Sequence, residues 1–202
     1  MLLLLKFILS LKDRQLMSDK QNNIVITAAV RTAIGSFRGS LKNIQADELG
    51  STVVKAAIKK TNLTSNDIDE LIIGQVLTAN SGQNPARQAA IRAVLPQEKT
   101  AYVINQVCGS GLRSIAAGYQ SIVSKDSSIV IAGGQESMTN APYAIDIRGG
   151  KKLNETNLID TMIKDGLWDA FNGYHMGVTA ENVAREWNIS REDQDNFAFQ
   201  SQ

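Results

Sequence analysis

The sequence has one cysteine, Cys108, and one histidine, His175, in 202 residues. A single cysteine cannot close an internal disulfide, which suits a reducing compartment and sets the expectation of a cytoplasmic protein. One cysteine and one histidine cannot make a structural zinc site. Charge of one sign is also lacking: 21 basic residues against 20 acidic ones leave a net +1. That balance excludes the broad basic footprint of a nucleic-acid or anionic-membrane binder. There are only three prolines, and each falls at a boundary: Pro85 where a helix begins, Pro96 where it has ended, Pro142 in a loop. Long apolar runs are absent too. The first residues, Met1 to Leu11, are apolar but broken by Lys6 and too short to span a bilayer. They lack the basic start and small-residue cleavage site of a signal peptide. Met17 then precedes a polar run, residues 18–23. Residues 1–16 are therefore expected to be an upstream extension outside the fold, with a weak membrane-surface anchor as the alternative.

What is present is a regular alternation. Residues 24–30 are continuously apolar and rich in β-branched side chains, which predicts a buried strand. A glycine-punctuated loop follows, then a helix over about 47–60 with acids at its start and lysines at its end. Thr64-Ser65-Asn66-Asp67 predicts a capped helical turn. Residues 70–76 read as a second buried strand, Pro85 opens a helix to about 94, and residues 101–105 read as a third strand. A helix over 109–124 and a strand over 128–132 complete the order β-α-β-α-β-α-β, a largely parallel sheet covered by helices. Small or apolar residues run almost all round the helix 109–124. It is expected to need cover on its outer face from a partner or from further chain. After Ser137 the strand runs stop. A short helix is expected over 158–165, another over 178–187, and a last one after the N-cap signal Ser190-Arg191-Glu192-Asp193.

The chain is organised around Asn105-Gln106-Val107-Cys108-Gly109-Ser110-Gly111. Cys108 falls where a strand hands over to a helix N-terminus. Free N–H groups and the positive dipole end there favour a thiolate, and the same donors can hold an oxyanion. Gly109 and Gly111 leave the approach open. Two other readings stand beside this one. A free cysteine is commonly a buried packing residue. Gly109-Ser110-Gly111-Leu112-Arg113-Ser114 is also one glycine short of a dinucleotide fingerprint, with Glu136 placed after the next strand as a ribose-binding acid.

Four ordered stretches resemble a thiolase of the acetyl-CoA acetyltransferase branch. They are residues 24–37, the Cys108 turn, Gly133-Gly134-Gln135-Glu136-Ser137-Met138, and Gly173-Tyr174-His175-Met176-Gly177-Val178-Thr179-Ala180-Glu181-Asn182. The resemblance covers about residues 22–202 and is far more specific than any one motif. It implies the N-terminal half of an α/β thiolase fold over 17–136 and part of a CoA-covering loop domain over 137–202. It implies that Cys108 is the acyl-accepting nucleophile and that its backbone N–H belongs to an oxyanion site. Leu167 and His175 would line the CoA channel, and Met176 would wall a small acyl pocket. The resemblance argues against a Cys108–His175 dyad, which the bare residue types would allow. Coenzyme A thioesters are the implied substrates, with no separate cofactor, no metal, no nucleic acid and no membrane. The implied partner is a second copy, as in a homotetramer, or a separate C-terminal half. Family members are considerably longer, and their later histidine and second cysteine have no counterpart here. The expectation is an acetyl-CoA C-acetyltransferase that is incompetent on its own, with a non-catalytic CoA-binding or oligomerising remnant as the alternative.

Overall fold

The computed structural model describes residues 5–8, 24–150, 152 and 156–202. It divides into two compact units, Met1–Tyr143 and Ala144–Gln202.

The first unit is a sheet between helices. Strands β2 (Glu70–Gly74), β3 (Thr100–Ile104) and β4 (Ile129–Gly134) are parallel, with β2 in the middle. Leu71 pairs with Ala101 on one side and Ile131 on the other. Side chains alternate between two cores. Leu71, Ile73 and Ile131 pack with Val53, Val54 and Ala57 of α1 (Ala46–Lys59) and with Ala86, Ala89 and Ala90 of α2 (Pro85–Arg92). Ile72, Val130 and Ala132 pack with Ile122 of α3 (Ser110–Val123). Both sheet faces are covered, which is why the strands read as unbroken apolar runs. The expected α/β class is therefore the observed one.

The helices start where their local chemistry says they should. Asp47 and Glu48 lie in the first turn of α1 and Lys59 in its last. Asn84 caps α2 by accepting the Arg87 N–H at 3.1 Å, and Pro85 takes the position where its missing N–H costs nothing. Thr64 and Asp67 form the expected capping box on a short 3-10 turn, Ser65–Asp67.

The first expected strand is not one. Residues 24–30 run extended with a single bridge residue, Ile26, and no ladder among the described residues; Val25 and Ile26 are exposed while Ala28 is buried. Their β-branched composition fixes an extended backbone, but pairing needs an open sheet edge. The outer edge of β4 is taken by an antiparallel strand, β1 (Leu5–Ile8), where no strand was expected. The expected boundary of an upstream extension at residue 16 lies outside the described residues.

α3 buries only one face, through Ser110, Ser114, Gly118 and Ile122. Its opposite face exposes Leu112, Tyr119 and Val123, Leu112 to 75%. The described residues of its unit do not supply the cover expected for this helix.

The second unit is irregular. Short strands β5 (Tyr143–Ala144) and β6 (Ile159–Asp160) precede a π-helical segment, Met162–Leu167. The helix expected over 158–165 is thus displaced: Asp160 Oδ1 accepts the Met162 N–H at 2.9 Å and starts the turn there. Helices α4 (Met176–Glu186) and α5 (Arg191–Ser201) follow, and Ser190 and Asp193 close a capping box on α5. Among the described residues no helix is long and apolar enough to cross a membrane.

Candidate active site

The carboxyl ends of β2, β3 and β4 converge on the start of α3. Gly74 ends β2 against that helix: a Cβ there would fall 2.5 Å from the Gly111 nitrogen. Gly134 ends β4 with the Gly111 Cα 3.3 Å from where its own Cβ would be. Ser114 Oγ lies 2.6 Å from the Gly133 carbonyl oxygen and 2.7 Å from that of Gly111. The first turn of α3 is therefore fixed to the sheet by two missing side chains and one buried hydroxyl.

Cys108 sits just before this turn and is exposed. The packing reading of its thiol is overturned by that exposure. The backbone reaching it is strained. Val107 has φ 49°, in the left-handed region that a β-branched residue rarely enters, at a cost of about 1–3 kcal/mol. Asn105 Oδ1 accepts the Val107 N–H at 2.9 Å. Ser110 Oγ accepts the Gln106 N–H at 2.8 Å and donates to the Val107 carbonyl at 2.6 Å. Ser110 is only 4% exposed. Gly109 N–H closes a turn onto the Gln106 carbonyl at 3.1 Å. Cys108 was legible in the sequence, but the roles of Asn105 and Ser110 were not. The one available signal was an asparagine two residues before the bonded N–H, the pattern of an Asx-turn.

Glu136 follows β4 and does not face an open ribose site. Its two oxygens accept the Val76 and Leu77 N–H groups at 2.9 and 3.2 Å. Burial raises its pKa above the ordinary carboxylate value, and these two bonds offset that only in part. Beside it Gln135 Nε2 donates to Gln75 Oε1 at 2.8 Å, both side chains buried. An open hollow of about 410 Å³ lies at the ends of β2 and β3, lined by Gln75, Thr78, Asn84, Val103 and Asn105 among others. Cys108 is not among the residues that line it.

The second unit brings together the other three expected residues. Leu167 ends the π-helical segment, His175 is the N-cap of α4, and Met176 is its first residue. Trp168 and His175 pair across an antiparallel bridge, and the Asp169 N–H donates to the Tyr174 carbonyl at 2.8 Å. Asp169 organises the tip between them. Its Oδ1 accepts the Phe171 and Asn172 N–H groups, and its Oδ2 accepts from Asn172 Nδ2. Bonds from the Asn172 side chain and backbone and from Phe171 hold its carboxyl below the ordinary value. Leu167, His175 and Met176 are thus set around one hairpin. Leu167 and Met176 are half-buried and His175 is exposed. His175 Nδ1 accepts the Gly177 N–H at 2.9 Å. Among the described residues no group of three or more His, Cys, Asp or Glu side chains could hold a metal ion.

These features define a class: an α/β protein that carries an exposed thiol on a strained strand-to-helix turn at the carboxyl ends of parallel strands. Residues 24–202 match the family described as thiolase, N-terminal domain, and the chain belongs to that family. It is 56% identical over 180 residues to the acetyl-CoA acetyltransferase of Rhizobium meliloti (strain 1021), covering 89% of this chain and 46% of that protein. It is 57% identical over 178 residues to the enzyme of the same name from Paracoccus denitrificans, covering 88% and 46%. Among solved structures, the Acat5 thiolase from Ascaris suum in complex with coenzyme A aligns with a TM-score of 0.80 at 40% identity, covering 85% of this chain and 45% of that one. The chain therefore spans a little under half the length of the relatives it matches.

Proposed function

We propose that Cys108 accepts an acetyl group from acetyl-CoA in a thiolase reaction. The Sγ thiolate attacks the thioester carbonyl carbon. A bond from sulfur to the acetyl carbon forms, the bond to the CoA sulfur breaks, and CoA leaves as a thiolate that takes up a proton. A base then removes a methyl proton from a second acetyl-CoA. The resulting carbon nucleophile attacks acetyl-Cys108, and acetoacetyl-CoA forms as the Cys108 thiolate is released. Cysteine suits both directions because a thiolate is a good nucleophile and a good leaving group. Leu167 and His175 line the CoA channel in this reading, and Met176 bounds the acyl pocket. A cytoplasmic setting keeps the single thiol reduced.

The observation that carries the proposal is the exposed Cys108 on its strained turn, in a chain whose residues 24–202 match the thiolase N-terminal domain. In this reading the base comes from the part of the relatives' length that these residues do not match. The exposed apolar stripe of α3, Leu112, Tyr119 and Val123, is the kind of surface that such a half, or a second copy in an oligomer, covers. The same exposed stripe suits a second reading, a protein that binds CoA or self-associates without turnover.

One pair of measurements separates the two. Intact-mass analysis after incubation with acetyl-CoA should show one added acetyl group, absent in Cys108→Ala. Acetoacetyl-CoA should form only when a polypeptide matching the rest of the relatives is added. Loss of an acid/base group alone typically costs about 10²–10⁴ in rate. Robust turnover by the chain alone, abolished by His175→Ala, would replace this scheme with a Cys108–His175 dyad. No acetylation and no turnover with the added half would leave the second reading.

A further inference from the structure

The peptide that enters Cys108 is held at its oxygen by a side chain. Ser110 Oγ donates to the Val107 carbonyl at 2.6 Å and accepts the Gln106 N–H at 2.8 Å. Ser110 N–H also donates to the Val107 carbonyl, at 3.1 Å. At the preceding peptide, Asn105 Oδ1 holds the Val107 N–H at 2.9 Å. Between these two anchors Val107 stays at φ 49°, a conformation its branched side chain disfavours. In a planar trans peptide the C=O and N–H groups point in opposite directions. Drawing the Val107 oxygen onto the first turn of α3 therefore turns the Cys108 N–H of the same peptide away from that turn. The hydroxyl that does this is almost fully buried, so water does not compete for it.

We infer that Ser110 is a positioning residue that orients the Cys108 N–H as a donor to the oxygen of a carbonyl attacked by Cys108 Sγ. Asn105 holds the preceding peptide, on the other side of Val107. This rests on the reading of Cys108 as an acyl-accepting nucleophile. Catalysis by such a donor depends on its aim at the charge that develops, not on its mere presence. A turn that relaxed to an ordinary φ at Val107 would keep the thiol exposed and rotate the donor out of line. The thiol would then remain a nucleophile while losing its advantage toward carbonyl carbons in particular.

That split is measurable on the chain as it stands, with two small reagents. p-Nitrophenyl acetate builds an oxyanion when a thiolate attacks it. Iodoacetamide alkylates by displacement at a saturated carbon and builds none. Ser110→Ala should lower acylation of Cys108 by up to about 10²-fold, the scale of one lost oxyanion donor, and barely change alkylation. Ser110→Thr keeps a hydroxyl and should restore the ratio. Equal losses toward both reagents would mean a purely structural role and would overturn the inference, as would no change toward either. If Ser110→Ala fails to fold, Asn105→Ala at an exposed position frees the preceding peptide, and the absence of a selective acylation loss there overturns the inference. Failure of acetyl-CoA to react, with the acylation-to-alkylation ratio still dependent on Ser110, would sink the functional reading alone.

Discussion

His175 caps α4 with a ring nitrogen, and that fixes its tautomer. Nδ1 accepts the Gly177 N–H, so in the neutral ring the proton sits on Nε2, which is left as a donor. Nitrogen-15 NMR of the neutral imidazole should report the proton on Nε2 and a bare Nδ1. His175→Asn should retain the cap, whereas His175→Ala should cost about 0.5–2 kcal/mol of stability by urea unfolding. Equal stability of the two variants would show that the cap contributes nothing. At this scale the sequence singled out residues but not what holds them. Cys108 stood out because it is unique and flanked by glycines at a strand-to-helix turn. Val107 did not, because its left-handed φ arises from two side-chain bonds in a stretch with no periodic pattern. Glu136 lay where a ribose-binding acid was expected, but its oxygens are used on the Val76 and Leu77 N–H groups.

Among the elements, the three parallel strands are tied at their starts by Asp69. Its Oδ2 accepts the Ser128 and Ile129 N–H groups at 2.8 and 3.0 Å, and Lys99 Nζ reaches Oδ1 at 3.4 Å. Burial pushes the Asp69 carboxyl up, but the two N–H groups and Lys99 outweigh it and leave its pKa below the ordinary carboxylate value. A depressed carboxylate stabilises the fold above its unfolded pKa, and that contribution is lost as pH falls through the lower folded value. Asp69→Asn should therefore melt lower than the native chain at neutral pH, and the gap should narrow in acid below the ordinary carboxylate range. A gap that stays constant across that range would exclude the linkage. The elements themselves were largely legible. Apolar runs found β2 to β4, and Pro85, Thr64 and Ser190 marked three helical starts to within a residue. Residues 24–30 failed because composition specifies an extended backbone and says nothing of which edge is free. β1 was missed for the converse reason: its short apolar run carries neither the alternation nor the turn signals that mark a strand.

For the molecule as a whole, the strand order has a cost in time. β2 is the middle strand and is made before both of its neighbours; Leu71 finds its partners only at Ala101 and Ile131. Such non-local parallel pairing is slow, so the Leu71 to Ile73 amides should gain protection from hydrogen exchange over milliseconds to seconds of refolding, and microsecond protection would contradict the topology. On a ribosome the same order imposes a wait. At about 5–20 residues per second, β2 emerges several seconds before β4 exists to close its second edge. Through that interval Leu71, Ile72 and Ile73, fully buried in the finished fold, belong to a half-built sheet with an open edge. The nascent chain is then most exposed to misassociation, and a chaperone that holds it over those seconds should raise its yield more than one that acts after release.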